Sequence, residues 1–91
     1  MKFRDKVLNI VKVIPRGKVL TYKEVAKLAG SPRAFRAVGN VLNKNPDPKN
    51  IPCHRVIKSN GQAGGYKYGT KQKLSLLKRE GVIIRSRRNA I

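Results

Sequence analysis

The chain has 91 residues, 22 of them Lys or Arg and only 4 Asp or Glu, so its formal net charge is +18. This length allows a single domain, the one Cys excludes an internal disulfide, and one Cys with one His is too few for a structural zinc site. Because no apolar run approaches the ~20 residues of a membrane span and no export signal follows Met1, we expect an intracellular protein with a free thiol.

The positive charge predicts a polyanionic partner. A small domain usually stays soluble with a net charge of about 2–8, so +18 exceeds what solubility alone requires. Nucleic acid is the first candidate, and a membrane surface and ribosomal RNA are alternatives that charge alone does not exclude. The arrangement of residues along the chain has to distinguish them.

The first predicted element is a helix over residues 2–14, because apolar residues recur there at helical spacing. Pro15 and Gly17 end it. The apolar face of this helix consists of Phe3, Val7, Ile10, Val11 and Ile14.

Two short helices are predicted next, joined by a tight turn. Thr21 and Glu24 have the spacing of a capping box, which places the start of the first helix after Thr21, and Gly30 suits its C-terminal cap. Ser31 is then the expected N-cap of a second helix that runs to about Asn43. Two helices joined in this way predict a helix-turn-helix.

We expect the second of these helices to face DNA. It carries Arg33 and Arg36 beside small residues that allow close approach to a groove, with Phe35 and Val38 among its apolar residues. An ordinary helical hairpin packed in a core is the alternative, and the surrounding positive charge favours DNA binding.

The second half of the chain predicts a hairpin and a last helix. After a stiff, Pro-containing loop over 44–52, residues 55–57 resemble a strand, 59–61 a turn, and 64–66 the returning arm. Thr70 is the expected cap of a helix that ends near Gly81, with Leu74 and Leu77 pointing inward. These elements predict a mostly α fold with a small β hairpin, that is, a winged-helix-like helix-turn-helix domain over 1–82 followed by a basic C-terminal tail over 83–91.

The unusual segment is 52–56, where the only Cys and the only His of the chain are adjacent. A thiol reacts as its thiolate, and a nearby cation or imidazole increases the thiolate fraction. Adjacent side chains on an extended strand point to opposite faces, so contact between Cys53 and His54 needs a turn, a short helix or a bridging water. The alternative is that Cys53 is a small core residue and His54 a surface residue.

This PCHRV segment resembles the active-site signature of the O6-alkylguanine-DNA alkyltransferases, the methylated-DNA–protein-cysteine methyltransferases. The resemblance extends over residues 3–81, because further blocks follow in the family's order and spacing. These blocks are IPRG at 14–17, TY at 21–22, RAVG at 36–39, NP at 45–46, GGY at 64–66, Lys73, LL at 76–77 and EG at 80–81.

The resemblance implies DNA repair by irreversible, single-turnover transfer of an alkyl group from O6 of guanine in duplex DNA to Cys53, after the base is flipped out. It implies that His54 takes the thiol proton through a water and that Glu80 orients His54. It also implies that Tyr22 crowds the 3′ phosphate and donates a proton to the leaving guanine, while Arg36 fills the space left in the stack. No cofactor or metal is implied.

The remaining implied roles concern binding. Asn45 resembles a hinge residue, the backbone carbonyls of Cys53 and Val56 would read the exocyclic amine of guanine, and Ser59 and Tyr66 would line the pocket. We expect a monomer that binds double-stranded DNA carrying O6-alkylguanine, does not bind membranes, and is located in the cytoplasm with the nucleoid or in the nucleus. The expected DNA contacts are Tyr22, Lys23, Ser31, Arg36, Ala37 and Ser59.

Three alternatives stay open beside the transferase. An alkyltransferase-like protein would bind the lesion and recruit other repair factors without transfer, but such relatives replace the reactive Cys, which is present here. A plain winged-helix regulator would leave Cys53 incidental. A cysteine peptidase is disfavoured because its Cys and His are expected far apart in the sequence. The family often carries a ribonuclease-H-like N-terminal domain, and we expect this chain to begin directly at the DNA-binding domain.

Overall fold

The computed structural model describes residues 2–66 and 68–82, where it has four α-helices, a short 3₁₀ helix and a two-stranded sheet. The mostly helical class is therefore confirmed, and the predicted tail over 83–91 lies outside the described residues. The elements are α1 (Phe3–Lys12), β1 (Leu20–Thr21), α2 (Tyr22–Leu28), α3 (Phe35–Asn43), the 3₁₀ helix (Cys53–Arg55), β2 (Val56–Ile57) and α4 (Thr70–Arg79).

The core forms where α1, α2 and α3 pack against each other, and the 3₁₀ helix packs against α1 and α4. Val7 and Val11 are fully buried on one face of α1, as their spacing predicts. Every helix in the described part of the chain is too short or too polar to cross a bilayer. The buried cluster consists of Val7, Val11, Ile14, Val25, Ala26, Ala29, Val38, Leu42, Cys53 and Val56.

The capping box at the start of α2 is confirmed. The Glu24 amide donates to Thr21 Oγ1 at 3.0 Å, and the Thr21 amide donates to Glu24 Oε1 at 2.9 Å. This reciprocal pair satisfies two backbone donors that the helix itself leaves unpaired, so it fixes where α2 begins.

The expected N-cap role of Ser31 is wrong. The Ser31 amide donates to the Ala26 carbonyl at 2.9 Å and the Gly30 amide to the Lys27 carbonyl at 3.0 Å, with Gly30 at a φ of 84°. These two bonds form a Schellman motif, so Ser31 ends α2 and is not available to begin the next helix. As a result α3 starts only at Phe35, after a turn in which the Ser31 carbonyl accepts from the Ala34 amide at 2.9 Å.

The sheet differs from the predicted hairpin. The turn after β2 does form, with the Lys58 amide donating to the Gln62 carbonyl at 2.9 Å, but β2 pairs in parallel with β1, Leu20 opposite Val56. The returning segment instead offers the Gly65 carbonyl to side chains. This pairing places the first residue of α2, which directly follows β1, beside the segment that contains Cys53.

The last helix ends as predicted and begins differently. The Val82 amide donates to the Leu77 carbonyl at 2.8 Å around Gly81, whose φ is 83°, which is again a Schellman end. Thr70 is the first helical residue and makes no capping bond, because Gly69 occupies the N-cap position.

The inward face of α4 is only partly as expected. Leu77 is fully buried, but Leu74 is 38% exposed, and Lys73 takes the inward position instead. Lys73 and Leu77 are four residues apart and therefore lie on one face. A lysine thus faces the interior of this small domain.

Candidate active site and nucleic-acid groove

The 3₁₀ helix supplies the turn that the Cys-His pair requires. Pro52 precedes it, the Cys53 amide donates to the Ile51 carbonyl at 2.8 Å, and the Arg55 amide donates to the Pro52 carbonyl at 2.9 Å. Cys53 is a free thiol that is 4% exposed, and His54 is 7% exposed. Both side chains are buried, which excludes the alternative in which His54 is a surface residue.

His54 and Glu80 lie together although 26 positions separate them in the chain. His54 Nε2 is 3.0 Å from Glu80 Oε2, in an environment where both side chains are at least nine-tenths buried. This is the pair that the family resemblance implies. Gly81 directly follows Glu80 and turns the chain at the end of α4.

Arg55 is a residue of this site to which no sequence pattern gave a role. Its Nε donates to Glu80 Oε1 at 2.9 Å and its Nη2 to Glu80 Oε2 at 2.8 Å, while Nη1 donates to the Ile14 carbonyl at 2.7 Å. The hydrogen bonds from Arg55 are the main cause that lowers the pKa of Glu80 to about 2; burial opposes them, and the hydrogen bond and charge of His54 lower the pKa further. Glu80 is therefore a carboxylate at neutral pH, held in a two-pronged clamp.

Lys73 is the second unassigned residue. Its fully buried side chain donates from Nζ to the Val56 carbonyl, to the Gly65 carbonyl at 3.2 Å and to Tyr22 Oη at 3.4 Å. Burial lowers its pKa to about 8, and the charge of Cys53 opposes that shift. A lysine at helical spacing from Leu77 on the predicted inward face was the available signal.

Two tyrosines complete the surroundings of the thiol. Burial, followed by the charge of Cys53, raises the pKa of Tyr22, and the same two causes in the same order raise the pKa of Tyr66. The Tyr66 ring lies edge-on to His54 with centroids 6.4 Å apart. Both phenols are thus kept protonated near Cys53.

Asn45 ties the end of α3 to the approach of the 3₁₀ helix. It is fully buried, its Nδ2 donates to the Ile51 carbonyl at 2.8 Å, and its Oδ1 accepts from the Asp47 amide at 3.0 Å. The Ile51 carbonyl lies just before Cys53, so Asn45 connects the helix-turn-helix to the reactive segment in the way that a hinge residue would.

A groove of about 480 Å³ runs between α2, α3 and the turn after β2, and it brings together most of the expected DNA contacts. Tyr22, Lys23, Arg36 and Ser59 line it. Ser31 and Ala37 do not: Ser31 is exposed at the turn beside a separate shallow surface, and Ala37 is partly buried on α3.

The residues expected to line the guanine pocket do not all lie in one place. Tyr66 lies next to His54, whereas Ser59 is exposed in the groove. The Val56 carbonyl already accepts from Lys73, and a carbonyl oxygen has a second lone pair with which to read an amine.

Comparison with known proteins places this geometry in a family. A family model described as the DNA-binding domain of 6-O-methylguanine DNA methyltransferase matches residues 2–82. The methylated-DNA–protein-cysteine methyltransferase of Methanothermobacter thermautotrophicus is 51% identical over 81 residues, which are 89% of this chain and 45% of that protein. The chain spans about half the length of the curated relatives it matches.

Two solved structures are also similar. Mycobacterium tuberculosis OGT in complex with DNA superposes with a TM-score of 0.85 at 38% identity, over 89% of this chain and 49% of that one. S. pombe Atl1 in complex with damaged DNA containing O6-carboxymethylguanine gives a TM-score of 0.83 at 33% identity, over 98% of this chain and 87% of that one.

Proposed function

This chain belongs to the 6-O-methylguanine DNA methyltransferase family, and on that premise we propose that it repairs duplex DNA by moving an alkyl group from O6 of guanine to its own Cys53. The observation that carries the proposal is that the buried Cys53 thiol is followed by a buried imidazole, His54, which contacts the ionised carboxylate of Glu80. A nucleophile followed by a base and by a group that orients the base is the arrangement that activates a thiol.

The proposed chemistry is an in-line displacement. Cys53 Sγ bonds to the alkyl carbon as the bond from that carbon to O6 breaks, and the electron pair of the broken bond leaves with guanine. The thiol proton passes through a water to His54, whose cationic form the Glu80 carboxylate stabilises. The product is a thioether, so each molecule reacts once.

Tyr22 and Lys73 serve the leaving group in this proposal. The departing guanine anion needs a proton, and the Tyr22 phenol, whose pKa burial raises above its usual value, carries one at neutral pH. Lys73 Nζ, 3.4 Å from Tyr22 Oη, would stabilise the phenolate as the proton leaves. General acid catalysis requires a proton donor that is already in position, and it is helped by a fixed cation that stabilises the charge left on the donor.

DNA is brought to the thiol by the helix-turn-helix. The groove contains Lys23 and Arg36, and the net charge of +18 attracts the phosphate backbone. A methylated O6 inside a base pair is out of reach of a buried thiol, so the base must be extruded, with Arg36 in the vacated position. Such a protein acts where chromosomal DNA is, in the nucleoid or the nucleus.

The test is a mass measurement on a protein that has a single thiol. After incubation with duplex DNA carrying O6-methylguanine, intact mass should rise by one CH₂ and peptide mapping should place it on Cys53. A second portion of DNA should add nothing. The Cys53→Ala variant is the control, and an unchanged mass for the wild-type protein with a reduced thiol would exclude transfer.

Lesion recognition without transfer is the second candidate. The S. pombe Atl1 structure with damaged DNA favours it, because the likeness covers 87% of that chain as well as 98% of this one. Tight binding to O6-methylguanine duplex without any mass gain would select this function. The presence of Cys53 beside His54 is the reason that we place transfer first.

A further inference from the structure

Phe35 is an exposed aromatic residue at the start of the helix that faces the groove. It is 37% exposed, whereas the residues of α3 that enter the core are Val38 and Leu42. The core therefore does not account for the position of this ring. Phe35 directly precedes Arg36, and both line the groove.

Lys23 holds the ring from the neighbouring helix. Its Nζ lies over the Phe35 ring, 5.7 Å from the centroid, which is within the range of a cation–π contact. The contact joins α2 to the first turn of α3. It also puts a cation and an aromatic face next to each other at the surface.

The groove around this pair has the composition of a site for unpaired nucleic acid. Its lining combines three cations, two amides and one aromatic ring. The cations are Lys23, Arg36 and Lys58, the amides are Asn43 and Asn60, and the ring is Phe35. Positive side chains that follow a backbone, combined with an aromatic ring on which a base stacks, are the means by which proteins hold single-stranded DNA.

We propose that Phe35, supported by Lys23, is a stacking platform for an unpaired DNA base, the one whose partner has been extruded. The inference rests on the proposed function in one respect, because extrusion is what creates that base. Arg36 would enter the stack and Phe35 would receive the base left opposite. Since stacking uses the face of a base and not its edge, the platform should accept any of the four bases.

The experiment separates stacking from alkyl transfer. A duplex with one abasic site already contains an unpaired base and carries no alkyl group, and the matched fully paired duplex is the reference. Binding is measured for wild type, Phe35→Leu, which keeps apolar bulk, and Phe35→Tyr, which keeps the ring. We expect Phe35→Leu to bind the abasic duplex about 5- to 150-fold more weakly, and Phe35→Tyr to bind it as wild type does.

Two results would overturn the platform. The first is that Phe35→Leu binds the abasic duplex as tightly as the wild-type protein does. The second is that Phe35→Leu loses the same factor of affinity for the abasic and the fully paired duplex, which would make Phe35 a contact to the DNA backbone. If Phe35→Leu does not fold, 2-aminopurine opposite the abasic site reports on the wild-type protein itself, where stacking should change its fluorescence and an unchanged signal contradicts the proposal. The mass measurement on Cys53 tests transfer separately, so the two proposals can fail independently.

Discussion

Replacing Glu80 by Gln tests whether an ionised carboxylate holds the reactive segment in place. Glu80 receives two hydrogen bonds from Arg55 and lies 3.0 Å from His54 Nε2, with a side chain that is 10% exposed. A Gln amide offers one oxygen and places N–H donors against the donors of Arg55. Glu80→Gln therefore leaves part of a buried guanidinium without a partner.

The size of the effect follows from the pKa of Glu80, which falls from 4.5 to about 2 in the folded protein. The fold thus favours the carboxylate over the acid by about 3 kcal/mol at neutral pH. The pKa is lowered by folding, so this stabilisation is fully present above pH 4.5 and is lost as the pH falls towards 2. The penalty of Glu80→Gln should be largest at pH 7 and should shrink over that same interval.

Urea denaturation of both proteins at pH 7, 5, 4 and 3 measures this difference in the free energy of unfolding. Glu24→Gln is the matched control: it makes the same chemical change at an exposed residue whose capping role Gln also fills, and should cost less than about 0.5 kcal/mol. A Glu80→Gln penalty that is independent of pH, or no larger than that of the control at pH 7, would refute the clamp.

Three further predictions concern single side chains. Gly64→Ala should destabilise the fold more than Gly61→Ala, since both have positive φ but only at Gly64 would a Cβ lie 3.1 Å from Tyr22 atoms, and equal melting temperatures would contradict this. Arg36→Ala should slow transfer from duplex DNA and leave the reaction with free O6-benzylguanine unchanged, whereas equal loss on both substrates would exclude the role in extrusion. Because folding lowers the pKa of Lys73 from 10.5 to about 8, the wild-type free energy of unfolding should rise between pH 8 and 10.5, and Lys73→Met should abolish that rise in urea titrations.

Local signals predicted the helices well. The capping box of Thr21 and Glu24 is complete within four residues, and Gly81 ends α4 through bonds that span six positions. Such signals fail where two elements compete for one residue. Ser31 has the chemistry of an N-cap, but the Schellman end of α2 uses it first.

Local sequence patterns did not predict the contacts between residues that lie far apart in the chain. Strands β1 and β2 have two residues each, too few for a period of two to be recognised. They pair with each other while both pack against α2, which is a long-range arrangement. The contact between Arg55 and Glu80 spans 25 positions. The resemblance supplied the partner of His54, whereas Arg55 and Lys73 had no role until their side chains were located.

The buried polar residues of this domain converge on one short segment. Asn45 holds the Ile51 carbonyl before the thiol, Glu80 holds the two side chains after it, and Lys73 holds the Val56 carbonyl. Each contact comes from a different place in the fold, so the geometry of Cys53 is set by packing and not by the 3₁₀ helix alone. An enzyme with many turnovers must reopen to release its product. A protein that reacts once has no such requirement, and under the proposed function this explains why so many polar groups in so small a core can be used to hold one thiol still.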